Sequence, residues 1–201
     1  MSQYRLPTHD HKENDLRASQ PALLAAGRVI AESRDALIVD WSRRVEDKLA
    51  TTGMIPRPFV EREFRLLVDL SGQSVGPFRR EVMPIWIRAC EQYGRVGLMR
   101  GLAAGEVVEE LQHLRDILTL RLAPIVTTLR PRQALAIMLR LNRLVDRGIA
   151  TAVVGYTDAL VATLFARSGV PVADDTEHDL EEIDRHLAHL EGELAALSHR
   201  S

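Results

Sequence analysis

Between Leu23 and Leu164 the large apolar side chains recur in steps of three and four residues, and this spacing most constrains what the chain can become. A period near 3.6 places such residues on one face of a helix. Prolines and glycines cut the pattern into pieces. The first piece runs from Pro21 to about Leu49 and carries Leu37, Ile38, Trp41 and Val45. Ser33 or Asp35 can cap a break within it, so it reads as one long helix or two shorter ones. A helix over about 58–72 follows, with Phe59, Val60, Phe64 and Leu67, and Gly72 and Gly76-Pro77 end it. Pro84 then opens a helix with Ile85, Trp86, Ala89, Cys90 and Tyr93, and Gly101 and Gly105 mark a soft hinge. A helix over about 104–128 places Val107, Leu111, Leu114 and Leu118 on a broad stripe. A long helix runs from about 132 to Arg167, before Ser168-Gly169-Val170-Pro171.

The composition agrees with this pattern. The chain has 28 Leu and 22 Ala, a quarter of its 201 residues, while aromatics are 4%. A β-sandwich would draw instead on Val, Ile, Thr and aromatics. One domain of this length buries roughly 70% of its unfolded surface without staples. The single cysteine, Cys90, excludes a disulfide framework and a multi-cysteine zinc site. A net charge of −2 supplies no broad basic footprint for nucleic acid. No apolar run is read as reaching the roughly 18–20 residues of a membrane span, and the polar N-terminus lacks a signal-peptide core. The expectation is a cytoplasmic, all-α protein with neither nucleic-acid nor membrane partner.

The last segment has its own signature. Leu180, Ile183, Leu187, Leu190, Leu194 and Leu197 are spaced 3, 4, 3, 4 and 3, the a and d positions of a heptad. A seam this narrow pairs with one other helix. A copy of itself is the preferred partner, and folding back onto its own bundle is the alternative. The chain thus divides into a flexible tail (1–19), a helical bundle (20–168) and a coiled-coil dimerisation helix (175–201).

Reactive constellations are sparse. There is no glycine-rich phosphate loop, no HExxH and no GxSxG. Cys90, beside Trp86 and Tyr93, reads as a small core residue. Glu109, Glu110 and His113 share one turn, but a dimetal site needs a second such pair and two more carboxylates; a surface salt-bridge cluster is the better reading. His178, Glu182, His186 and His189 on the final helix would make a weak metal patch or a pH-sensitive stripe, with solvated coiled-coil positions favoured. His113 is the only histidine within the predicted bundle and hence the candidate heme ligand. A lone histidine at the edge of an apolar stripe is more often a boundary residue, so no cofactor is expected. Trp41, Trp86, Tyr93, Met99, Met138 and Tyr156 are candidates to line a pocket between helices, although such residues at helical spacing usually form plain core.

The order of several short motifs carries a resemblance. Leu37-Ile38-Val39-Asp40-Trp41-Ser42-Arg43-Arg44-Val45 is followed by Tyr93-Gly94-Arg95 and Arg100-Gly101. Glu109-Glu110-Leu111, Leu114-Arg115, Leu144-Val145-Asp146 and Ala152 to Tyr156 then follow. Over residues 20–168 this resembles the N-terminal sensory domain of RsbR/RsbRD-type bacterial stress regulators, relatives of which precede sensor histidine kinases and PucR-like regulators. The resemblance implies a heme-free, globin-like input module that dimerises and passes a signal through its C-terminal helix to an output domain or a partner signalling protein. It supplies no catalytic residues, and no enzyme is expected. Two alternatives stay open: a heme- or metal-binding helical sensor or redox protein, and a ligand-free helical adaptor.

Overall fold

A computed structural model describes residues 18–45, 55–167 and 176–198, and among them all regular secondary structure is α-helical. The helices are α1 (Gln20–Glu32), α2 (Arg34–Arg44), α3 (Arg57–Val75), α4 (Arg79–Met99), α5 (Ala104–Val126), α6 (Pro131–Arg167) and α7 (Thr176–Ser198). The first apolar run is therefore two helices, broken at Ser33, whose N–H donates to the carbonyls of both Val29 and Ile30 at 3.2 Å.

The core is centred on α4, which packs against α3, α5, α6 and α7. Its crossing with α6 is made by glycines. A β-carbon on Gly94 would stand 1.9 Å from the Ala152 carbonyl oxygen, and one on Gly155 would stand 2.0 Å from that of Glu91. The two backbones thus meet with no side chain between them, closer than any other residue pair would permit. Around this crossing lie Trp41, Phe64, Leu67, Trp86, Leu111 and Leu114, all under 2% exposed.

Three expectations need correction. Gly101 is no hinge: with φ +76° it closes α4 in a Schellman motif, its N–H bonding Leu98 O at 2.8 Å and that of Leu102 bonding Gly97 O at 3.0 Å. Pro84 lies inside α4 rather than at its start. Only its own missing N–H is lost there, one turn from the end, a cost the packing of Val82, Ile85 and Trp86 offsets. The third correction concerns membrane length. The α6 stretch Pro131–Phe165 is long and apolar enough to cross a membrane, and little of its most apolar window is buried. Its threonines, glycines and Tyr156 look like interruptions, but Asp158 is the only charge between Gly148 and Phe165.

The zipper seam is also not left for a second chain. Leu187, Leu190 and Leu194 are 1%, 0% and 9% exposed within this one chain, and Leu180, Ile183 and Leu197 pack partly buried against the same core. The expected pairing of these six residues with a copy therefore gives way to the fold-back alternative. Helices α3 and α4 present Leu66, Leu67 and Ala89 to the seam, a trough that a two-residue-wide stripe fills.

Candidate functional site

The polar chemistry of the bundle is gathered under α7 and at its flank. It begins with the Schellman cap, in which Arg100 directly follows the last residue of α4 and is left 1% exposed. Nearly two turns into α5, Glu110 occupies the apolar stripe of Val107, Leu111 and Leu114 and is fully buried. The two meet in a bidentate pair, Arg100 Nη1 donating to Glu110 Oε2 at 2.9 Å and Nη2 to Oε1 at 2.7 Å. The Tyr93 hydroxyl donates to Glu110 Oε2 at 2.5 Å, and Trp41 Nε1 to the Glu110 backbone carbonyl at 2.8 Å. Burial works against the guanidinium's charge, but the bonds to Glu110 prevail and its pKa is raised. For Tyr93, burial first and the Glu110 charge second push the phenol well above its ordinary range.

A second carboxyl, Glu63 of α3, is 3% exposed and lines a narrow void with Ala89, Gln92, Leu187 and Leu190, with no room for a water molecule. Burial, reinforced by the neighbouring Glu110 charge and only partly opposed by Arg100 and Gln92, pushes its pKa up to about 8. One Arg serves two buried carboxyls, so Glu63 is held mainly neutral at pH 7. Its Oε2 and the Oε1 of Gln92 have no hydrogen-bond partner, whereas Gln92 Nε2 reaches across to the Ile183 carbonyl of α7 at 3.3 Å. The C-terminal helix is thus seated on polar groups that its own seam does not satisfy.

Charged pairs fasten its edges. Arg62 donates to Asp184 at 2.5 Å and to Glu191 at 2.8 Å, and Arg88 forms a bidentate pair with Glu193. These groups are about one-third or more exposed, so each pair adds little and together they orient the helix.

The residues singled out from the sequence are placed as follows. Trp41, Trp86 and Tyr93 are fully buried in the hydrophobic core; Trp86 Nε1 donates to Leu144 O at 3.1 Å. Trp41 stacks on Phe64 with ring centroids 3.9 Å apart. Met99, Met138 and Tyr156 pack at the core margin, Tyr156 donating to Leu102 O at 2.9 Å. These side chains pack as core: the tips of Trp41, Trp86 and Tyr156 find backbone carbonyls and that of Tyr93 finds the Glu110 carboxylate. Cys90 is fully buried, and desolvation raises its thiol pKa well above the ordinary value. His113 sits at the boundary, 3.9 Å from Glu109. Glu110 is no surface salt-bridge residue, as just described. On α7, His186 is half-buried and its pKa is lowered by burial and then by Arg88 and Arg95, surroundings that also repel a metal cation. His189 pairs with Glu193 at 2.8 Å. The side chain of His178 lies outside the described residues, as do Gly169-Val170-Pro171 and residues 1–17. Among the described residues no group of three or more His, Cys, Asp or Glu is arranged to hold a metal.

The sequence reading missed Arg100, Glu110 and Glu63 as a cluster. A signal was present for two of them: Glu63 falls in the stripe of Phe59, Val60, Phe64 and Leu67, and Glu110 in that of Val107, Leu111 and Leu114. A carboxylate at a core position of a helical stripe is a buried carboxylate awaiting a partner.

Comparison with protein-family models, with curated proteins and with solved structures found no match to this chain.

Proposed function

We propose that this chain is a non-catalytic regulatory input module, globin-like in its bundle and similar in role to RsbR-type sensory domains, which relays a signal through its C-terminal helix. The observation that carries the reading is the seat of α7. The helix is docked by a narrow leucine seam over a carboxyl and an amide that each keep one oxygen without a hydrogen-bond partner, and its flanking ion pairs are solvent-accessible. An interface with unsatisfied polar groups beneath it opens at lower cost than the tightly packed α4–α6 crossing, which suits an element with two arrangements. A signal acts by favouring the docked or the released arrangement, to the extent of its differential affinity for the two. Hydrogen exchange on the intact chain tests this. Amides of 180–197 should exchange through local opening, at protection at least about tenfold below those of α4 and α5. Equal protection throughout would remove the basis for a relay.

The proposed module is a homodimer, and its contact moves from α7 to α6. Val154, Leu160, Val161 and Leu164 are between 37% and 57% exposed. With Thr157, the positions 154, 157, 161 and 164 repeat the 3-4-3 spacing of a helix-pairing seam. Light scattering should show that Val161→Glu with Leu164→Glu halves the mass while Leu187→Asp leaves it unchanged. The opposite result returns the dimer seam to α7; flotation of the wild-type chain with phosphatidylcholine vesicles would assign the α6 face to a membrane instead.

A further inference from the structure

A cleft of about 600 Å³ opens between α1, α3 and the C-terminal half of α7, away from the buried carboxyls. Its floor exists because two helices touch without side chains: a β-carbon on Gly27 would meet the Gly72 carbonyl oxygen at 3.0 Å. Beside that contact the walls are apolar. Leu24, 45% exposed, lines this space together with Phe78 and Leu194. The volume falls within the ordinary range of small-molecule sites.

The charges at the rim decide what fits. Arg34 and Arg65 share two aspartates: Arg34 lies 3.4 Å from Asp35 and 3.6 Å from Asp69, and Arg65 lies 3.3 Å from Asp35. Glu191, which also lines the cleft, is held by Arg62 at 2.8 Å. Arg28 forms no ion pair among the described residues, and among the side chains that line the cleft Arg28, Arg34 and Arg65 stand against Asp69 and Glu191, one positive charge in excess. The pairs of Arg34 and Arg65 are long and half-exposed, so either guanidinium can turn to a better-placed carboxylate. Burial also raises the pKa of Asp69, against the pull of Arg34 and Arg65.

We propose that this cleft is a binding site for an amphiphilic monoanion, a carboxylate on an unbranched apolar body. The body lies along Leu24, Phe78 and Leu194, and the carboxylate meets the rim at Arg28. The excess of one charge matches one carboxylate, and the apolar lining of Leu24, Phe78 and Leu194 leaves surface that a bare anion would not cover. The site stands apart from the relay reading, although Leu194 and Ala195 make a ligand there a direct contact of α7.

Calorimetry on the full chain with decanoate, decanol and inorganic phosphate tests it. Decanoate should bind once per chain in the micromolar range, with decanol and phosphate each at least about tenfold weaker. Arg28→Ala, an exposed substitution, should weaken decanoate about tenfold and leave decanol unchanged, and Ala195→Trp, which fills the mouth, should abolish both. The site is refuted if decanoate gives no heat up to ~1 mM. It is equally refuted by affinity that ignores Arg28→Ala, or by phosphate binding as tightly as decanoate. None of these results bears on the exchange behaviour of α7, so the relay stands or falls separately.

Discussion

Replacing Glu63 with Gln should stabilise the protein, and by an amount that grows with pH. The side chain is 3% exposed and its pKa rises from the usual 4.5 to about 8 on folding, chiefly through desolvation. The folded state therefore holds its proton more tightly than the unfolded chain does. Such a group contributes stability fully below 4.5 and loses it as pH climbs towards 8, at up to about 1.4 kcal/mol per pH unit. Between pH 5 and pH 7 the wild type should lose about 2–3 kcal/mol from this group alone, whereas glutamine, neutral at every pH, loses nothing. Water reaching Glu63 as α7 loosens makes that figure a ceiling. Urea unfolding of both proteins from pH 5 to pH 8, taken as a difference, cancels every other titrating group. In thermal melts the gap between Glu63→Gln and wild type should widen by roughly 5–10 °C between pH 5 and 7. A gap that stays constant with pH would show that Glu63 titrates normally and is not sealed under α7.

Other substitutions probe the rest of the frame. Gly155→Ala puts a methyl against the Glu91 carbonyl and must force α4 and α6 apart; about 3 kcal/mol or more should be lost in urea unfolding, and a loss under 1 kcal/mol would contradict the backbone contact. Arg100→Met strands Glu110 in the core, so about 3–5 kcal/mol should be lost, with part recovered by adding Glu110→Gln; strict additivity in that cycle would deny the pair. Leu187→Asp buries a carboxylate beside Glu63 and should abolish exchange protection over 180–197 while α4 and α5 keep theirs, and retained protection would mean the seam is not what holds α7.

The helices themselves were legible because a 3.6-residue apolar period encodes them locally. The run of α6 and the two-residue-wide stripe of α7 follow from residues within a few turns of one another. Which surface that stripe meets was not legible. Heptad spacing states that a helix wants one partner, and the trough of Leu66, Leu67 and Ala89 comes from two helices more than 90 residues upstream. Likewise Glu63 and Glu110 could be seen at core positions, but not that both would share Arg100, nor that Gln92 would reach Ile183 across α7. The aromatic residues follow the same rule: spacing shows that Trp41, Trp86 and Tyr93 face inward, while only packing shows which acceptors their polar tips find.

By itself, then, the sequence determined an all-helical character and the faces that most helices bury, since each depends on side chains within reach of a turn or two, while the break at Ser33 stayed open and the start of α4 was misplaced at Pro84. Tertiary structure decided the rest: which faces meet, where Gly94 and Gly155 let two backbones touch, which carboxyl is paired and which is left neutral, and where a cleft remains. Those outcomes depend on distances between residues far apart in the chain, and burial turns such distances into energies that no local pattern carries.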